Sequence, residues 1–532
     1  MIKYINNQVS KHTVLLFAIA MLGVSCSGLL DEQPISEIGP ANFWKNNNDA
    51  AAGVAAIYDG MQSTYGDKHF YWGELRSDNY ILAPGGATQN NAELVNQKLT
   101  DGNSAVLRWN SLYSMINRAN QAIKYIPTIA SYDQNLLAEA HALRAFAYFD
   151  AIRVWGAVPL FTEPTESLAD IQKSRTDGAT IMNDVIIPDM LLAEELMSTF
   201  SSEFRFSRSS ILALQAEVYM WLQDFAKAKE ALDKIIELGE HSLVDNVDDW
   251  IDLFYNNLPN TAVPDGRGKI QEGPELMFSI RYDISEDRDN PGDNFANRAA
   301  IMSIFFSGIP QFFMSPELED KWQAKFPIEK TLWDEKYPGI NPPLERTVEY
   351  TDSLGVLQDS IALVYGDFRY YFSREGQVES FGSKGRGEAR IAKWNRTNYN
   401  RNFDDTDIVI YRYAGILLLL ANAENQLGNT DRALELVNEV RTARLLPNVT
   451  VAEFGATIDE RENYILDERQ LELLGEGKRW WDLRRTNKVF ELLNPRLDTI
   501  PNTAPITEES ILFPIFIDHL IENPLLEQNP GY

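Results

Sequence analysis

Along most of the chain, apolar residues recur three and four positions apart, the period of a helix with one face turned to a core. The clearest case is Ile211, Leu214, Val218, Trp221 and Leu222, introduced by serines from Ser207 to Ser210 that suit an N-cap. A break at Gln223-Asp224 leads to a second periodic run, Phe225, Ala228, Ala231, Leu232, Ile235 and Ile236, closed by Gly239. The same organisation returns from Asp407 to Leu427, across Gly428-Asn429, and from Asp431 to Arg444. Further helices are predicted at 50–64, 106–126, 134–155 and 458–474.

Two antiparallel helices with small residues at their contact have the character of a tetratricopeptide hairpin. Long stretches interrupt the hairpins, so a regular solenoid from end to end is not expected. Residues 65–105 and 240–400 are rich in Gly, Pro, Asn, Asp and aromatics. They read as loop-rich inserts with short strands at Leu276–Tyr282, Ile361–Tyr365 and Arg390–Trp394. The expected class is mainly α, a helical scaffold carrying long aromatic loops, and loops on a rigid frame are where recognition usually resides.

The first residues follow another pattern. Lys3 and Lys11 precede an apolar run from Val14 to Val24, too short to span a bilayer and of the length found in secretory signals. The single cysteine of the chain, Cys26, follows directly on Leu22-Gly23-Val24-Ser25. A small residue before a cysteine at the end of such a run suggests a lipobox, with Leu22 one place further back than usual. Residues 1–25 are therefore expected to be a lipoprotein signal peptide and Cys26 to carry the lipid. Residues 26–532 form the body, read as one domain with scaffold at about 40–240 and 405–490 and a docked tail at 505–532.

Charge then narrows the function. With 77 Asp plus Glu against 48 Lys plus Arg, the net charge of −29 argues against a nucleic-acid partner, which needs a basic face. One cysteine excludes an internal disulfide and a Cys-based zinc site. The five histidines are scattered, and no HExxH, GxSxG or Walker-type loop occurs. Gly382-Ser383-Lys384-Gly385-Arg386-Gly387 lacks a strand–turn–helix setting and reads as a turn. His141, inside an Ala-rich helix, reads as a packed, hydrogen-bonded core residue. Asp283, Asp287, Asp289 and Asp293 do not have EF-hand spacing. No cofactor or metal is expected, and no catalytic apparatus is legible, although the 77 carboxylates leave room for a glycosidase pair, which spacing along the chain does not reveal.

Several blocks, taken together, resemble the SusD/RagB family. They are Cys26 with Leu30-Asp31, Pro34 and Phe43-Trp44; Trp109-Asn110 with Tyr113 and Arg118-Ala119-Asn120; and Trp155-Gly156 with Val158-Pro159-Leu160. Asp367 with Arg369, Asn438-Glu439-Val440-Arg441, and Glu476-Gly477 with Arg479, Asp482-Leu483 and Arg485 continue the series in the family's order, ending at Gln528-Asn529-Pro530-Gly531-Tyr532. Phe516 departs from it, where the family usually has a second proline. Glu476, Arg479, Asp482 and Arg485 are expected to form a structural polar network.

The resemblance implies a binding protein rather than an enzyme, an outer-membrane lipoprotein facing outward. It would capture glycans, or in some members peptides, for a SusC-like TonB-dependent transporter. Its ligand surface would lie away from the tetratricopeptide helices. Glycan capture needs an aromatic face plus in-plane polar groups. The segment from His69 to Tyr80 offers both, so Trp72, with Tyr71 as second choice, is expected to stack on sugar while Arg76, Asp78 and Asn79 hydrogen-bond. Tyr282 and Arg288 belong to a second such region. Trp322 and Trp333 are weaker alternatives.

Overall fold

The computed structural model describes residues 43–532 except 166, 168–169, 199–201, 256–268, 284–300, 306–308, 342–343, 352–354, 376–383 and 395–405. Its frame consists of four helical hairpins. The first pairs α1 (Asn47–Gly73) with α2 (Asn110–Tyr125). The second pairs α3 (Gln134–Trp155) with α4 (Ile187–Leu196), and the third α5 (Arg208–Trp221) with α6 (Phe225–Leu238). The fourth, α7 (Tyr413–Gln426) with α8 (Thr430–Ala443), packs on the third through α6 and α7, although residues 239–412 lie between them in sequence. Next, α9 (Ile458–Glu472) packs on α7, and three short helices follow, α10 (Arg479–Arg485), one at Val489–Leu497, and α11 (Ile517–Glu522).

Local chemistry explains the helix ends. Asp224 caps α6 by accepting the Lys227 N–H, and Gly239 closes it at φ 64°, in the left-handed region that a side chain disfavours. Asn46 and Asp49 form a capping box at the start of α1. Small residues let α1 and α2 approach: a Cβ at Gly60 would lie 3.1 Å from the Met115 backbone.

Among the described residues, sheet is confined to two-stranded pairs, all antiparallel. They join β1 (Tyr80–Leu82) to β5 (Phe312–Met314), β2 (Val158–Pro159) to β3 (Arg175–Thr176), β4 (Leu276–Ile280) to β8 (Ile408–Arg412), and β6 (Leu344–Thr351) to β7 (Leu357–Val364). The strand expected at Leu276–Tyr282 is present as β4, and β7 covers most of the one expected at Ile361–Tyr365. Arg390–Trp394 holds only a bridge from Ile391 to Arg374. The helix expected from Asp407 begins at Tyr413, because the apolar run Ile408–Tyr411 is fully buried beside β4 and pairs with it as strand.

The most consequential difference concerns α1. It runs nine residues beyond the expected end at 64, burying Tyr65, His69 and Trp72 in continuation of Ala50, Val54, Ile57 and Met61. Gly66 and Gly73 made the stretch look like loop, but a helix tolerates glycine where neighbours pack close. A Cβ on Gly73 would meet the Gly477 carbonyl oxygen at 2.1 Å.

A buried ionic cluster pins the insert to this frame. Glu472 on α9 accepts from Arg369 at 2.6 Å, from Arg412 at 2.7 Å and from Arg444 at 2.9 Å. Glu275 pairs with Arg412 and Arg444, Glu476 with Arg412 and Lys393, and Glu468 with Arg369 and Lys325. Burial alone would raise the Glu472 carboxyl; the arginines more than offset it and hold it well below the usual range.

Candidate functional site

The residues expected to meet ligand are distributed by α1 and its exit, and the structure turns most of them inward. Trp72 is 1% exposed. Its Nε1–H donates to the Val106 carbonyl at 2.9 Å, and its ring meets Trp155 edge to face at 5.3 Å. Arg76 lies between Trp480 and Phe513, 4.5 and 5.0 Å from their ring centres, and donates to Gln97 and to the Ser510 carbonyl. Burial pushes its guanidinium down to about 10. Asp78 accepts from Arg479 at 2.8 and 2.9 Å. Asn79 donates to Glu74 and accepts from Gln470. Tyr282 is buried and donates to the Gln62 carbonyl at 2.7 Å.

These placements correct the sequence reading for Trp72, Arg76, Asp78, Asn79 and Tyr282. Stacking and hydroxyl recognition need an open face, and here the faces and donors are spent on the core. Tyr71 is half-buried against that core, and burial raises its phenol. Arg288 and Cys26 lie outside the described residues. Trp322 and Trp333 are buried, donating to Asp367 and to the Ile340 carbonyl. Asp283 pairs with Arg281, while Asp287, Asp289 and Asp293 lie outside the described residues. His141 is buried, with Nδ1 2.6 Å from Asp189 Oδ1. Among the described residues no group of three or more His, Cys, Asp or Glu is arranged to hold a metal, and no helix is long and apolar enough to cross a membrane.

An open cleft lies instead where α2 begins, against the first hairpin and not away from the hairpin helices as the resemblance implies. It has a volume of about 280 Å³, walled by Tyr113 and Ile116 of α2, Pro159 of β2, Phe161 and Ile171, and closed by α11 and Leu526. Trp109, the residue before α2, forms its floor. That indole stacks on His519 at 4.8 Å with the planes 4° apart, and its backbone N–H donates to His519 Nε2 at 3.3 Å. His519 is thus an acceptor at Nε2, and burial lowers its pKa. Tyr113 is fixed by donating to the Pro159 carbonyl at 2.7 Å, edge-on to Phe161 at 5.8 Å.

The C-terminal tail holds this wall in place. Asn529 donates to the Trp155 and Phe513 carbonyls, Gln528 exchanges hydrogen bonds with the Ile515 backbone, and Tyr532 donates to the Leu512 carbonyl at 3.0 Å. A second, polar hollow of about 470 Å³ meets the cleft at Asn110, His519 and Glu522 and adds Lys68, Arg108, Ser111, Phe516 and Asp518. The arrangement offers binding chemistry: aromatic and aliphatic walls beside exposed amides and charges. Trp109, Asn110 and Tyr113 stood in a sequence motif that carried the family resemblance and was not singled out for ligand. The cleft they line is completed by α11, about 400 residues away, which no local pattern shows.

Two family models match the chain. Residues 319–532 match the SusD family, and residues 29–220 match a family described as starch-binding associating with outer membrane. SusD-like protein P38 of Formosa agariphila is 42% identical over 530 residues, covering 98% of each chain. The chain belongs to the SusD family. SusD-like protein P2 of the same organism is 26% identical over 544 residues, covering 98% of this chain and all of its own. Among solved structures, a SusD superfamily protein of Bacteroides thetaiotaomicron superposes with a TM-score of 0.65 at 20% identity, covering 92% and 99% of the two chains. A laminarin-binding SusD-like protein gives 0.65 and 20%, covering 92% and 100%. These likenesses place the four-hairpin frame described above in the mainly α SusD fold.

Proposed function

We propose that this SusD-family chain is a cell-surface lipoprotein that captures glycans and passes them to a SusC-like TonB-dependent outer-membrane transporter, binding its ligand without cleaving it. The observation that carries the reading is the family match along the whole chain. The structural neighbour named for laminarin binding supports a saccharide ligand, and the cleft beside Tyr113 and Phe161 has the aromatic and amide chemistry such a ligand uses. Cys26 supplies the tether through its acyl chains, since buried CH₂ groups contribute about 0.8 kcal/mol each.

Calorimetric titration of residues 27–532 with soluble polysaccharides, followed by analysis of the polymer, tests capture. Heat of binding with polymer of unchanged length is the expected result. Binding of oligopeptides alone, or release of reducing ends, refutes it. Cys26→Ala is expected to abolish lipid labelling and release the protein from membranes. Retention of that variant on membranes lacking the transporter refutes the tether.

A further inference from the structure

The cleft and the polar hollow share Asn110, His519 and Glu522 in their walls, and their chemistries differ in a way that specifies a ligand. A pocket that buries a typical small ligand has about 300–1,000 Å³. The cleft alone, at about 280 Å³, falls just short of that range, and the adjoining hollow of about 470 Å³ brings the pair well inside it. A ligand that fills both must be longer than one ring and change character along its length.

Charge in the hollow is matched. Arg108 Nη2 lies 3.6 Å from Asp518 Oδ2, and both side chains are more than half exposed. Lys68 Nζ lies 3.6 Å from Asp67 Oδ1. Glu522 stands at the junction, its Oε2 3.8 Å from His519 Nδ1. Every cation there has a carboxylate within reach, in a protein of net charge −29, so no positive field awaits a sulfate or uronate. Paired donors and acceptors suit hydroxyls, each of which donates once and accepts at two lone pairs. The cup walls, Tyr113, Phe161 and Ile171, suit the apolar face of a ring.

Resting on the glycan reading above, we infer that this surface is a two-subsite groove for a neutral oligosaccharide of at least two units, one ring in the cup and the next across Arg108 and Asp518. The probe is an array of neutral (glucan, mannan, xylan) and anionic (sulfated, uronic-acid) oligosaccharides of one to six units, read with the mature chain and two variants. Ile171→Asp places charge in the cup; Arg108→Gln with Asp518→Asn strips the hollow. All three positions are exposed enough for the fold to persist, which thermal unfolding verifies.

Neutral ligands are expected to gain at least tenfold in affinity from one unit to two. The cup variant is expected to lose at least tenfold for every length. The hollow variant is expected to lose tenfold only for two units and longer. Glycans bound equally well by both variants overturn the groove and leave the proposed function standing. A preference for anionic chains overturns the neutral class. Failure to bind any glycan overturns the proposed function, and the groove with it.

Discussion

Replacing Glu472 by Gln tests whether the buried ionic cluster holds the insert to the hairpins. The carboxylate faces three guanidiniums, from Arg369, Arg412 and Arg444, and all four side chains are no more than 1% exposed. An amide keeps the size but halves the acceptors and turns an N–H toward donors. Removing one member of a buried pair costs about 3–5 kcal/mol, since the partner charge stays buried without compensation. Glu275, Glu468, Glu476 and Asp367 remain to share the arginines, which places the loss toward the lower end, about 3 kcal/mol. With an unfolding entropy of about 2.1 cal/mol/K per residue, a chain of this length loses about 3 °C in Tm. The assay is urea unfolding with calorimetric Tm, joined to amide hydrogen exchange. Protection is expected to fall first at 367–374 and 408–412, the segments whose arginines lose their acceptor. A Tm within 0.5 °C of the parent, with unchanged exchange at those segments, refutes the reasoning.

Three further outcomes follow from the same packing. Trp72→Ala is expected to destabilise by about 3–5 kcal/mol in chemical unfolding while folded protein keeps its ligand affinity; lost affinity in a fully folded variant returns Trp72 to the site. Gly73→Ala is expected to cost about 1–3 kcal/mol, because the new Cβ meets the Gly477 carbonyl; an unchanged Tm disproves the close approach. Burial, with Lys478 adding to it, pushes His69 down to about 4 from an unfolded value near 6.5. Its folded form binds fewer protons between those values, so its contribution is full above about pH 6.5 and lost as pH falls toward 4. At 1.36 kcal/mol per unit this amounts to about 3 kcal/mol, and His69→Gln is expected to flatten that part of the pH–stability curve. An identical slope in the two proteins argues against it.

The helical frame was legible because a 3.6-residue period survives wherever one face is buried, as at Ile211–Ile236. The site was not, for a reason visible at His69–Tyr80. Aromatic and polar residues in quick succession have the composition of a recognition loop, and equally that of a helix end buried under distant segments. Trp72 is closed off by Val106 and Trp155, Arg76 by Trp480 and Phe513, Asp78 by Arg479. The late polar motif shows the same limit. Asp482 does pair with Arg485 three residues on, but also with Arg469, while Glu476 and Arg479 turn to Arg412 and Asp78. Spacing along one helix gave the composition of the network and not its partners.

The pairing of β4 with β8 sets the order in which the molecule assembles. The first three hairpins need only neighbours in sequence, so each can close as soon as its second helix is made. The fourth, whose helices are three residues apart, closes as readily on itself, but its docking on the third waits until about 130 residues have been looped out to bring Ile408 beside Ile280, a closure costing about 4 kcal/mol in chain entropy before any contact repays it. Glu275 and Arg444 then meet only in the last stage. The largest closure cost in folding is therefore expected at the junction of the third and fourth hairpins. A chain halted before that step exposes the faces of α6 and α7 that the finished protein conceals.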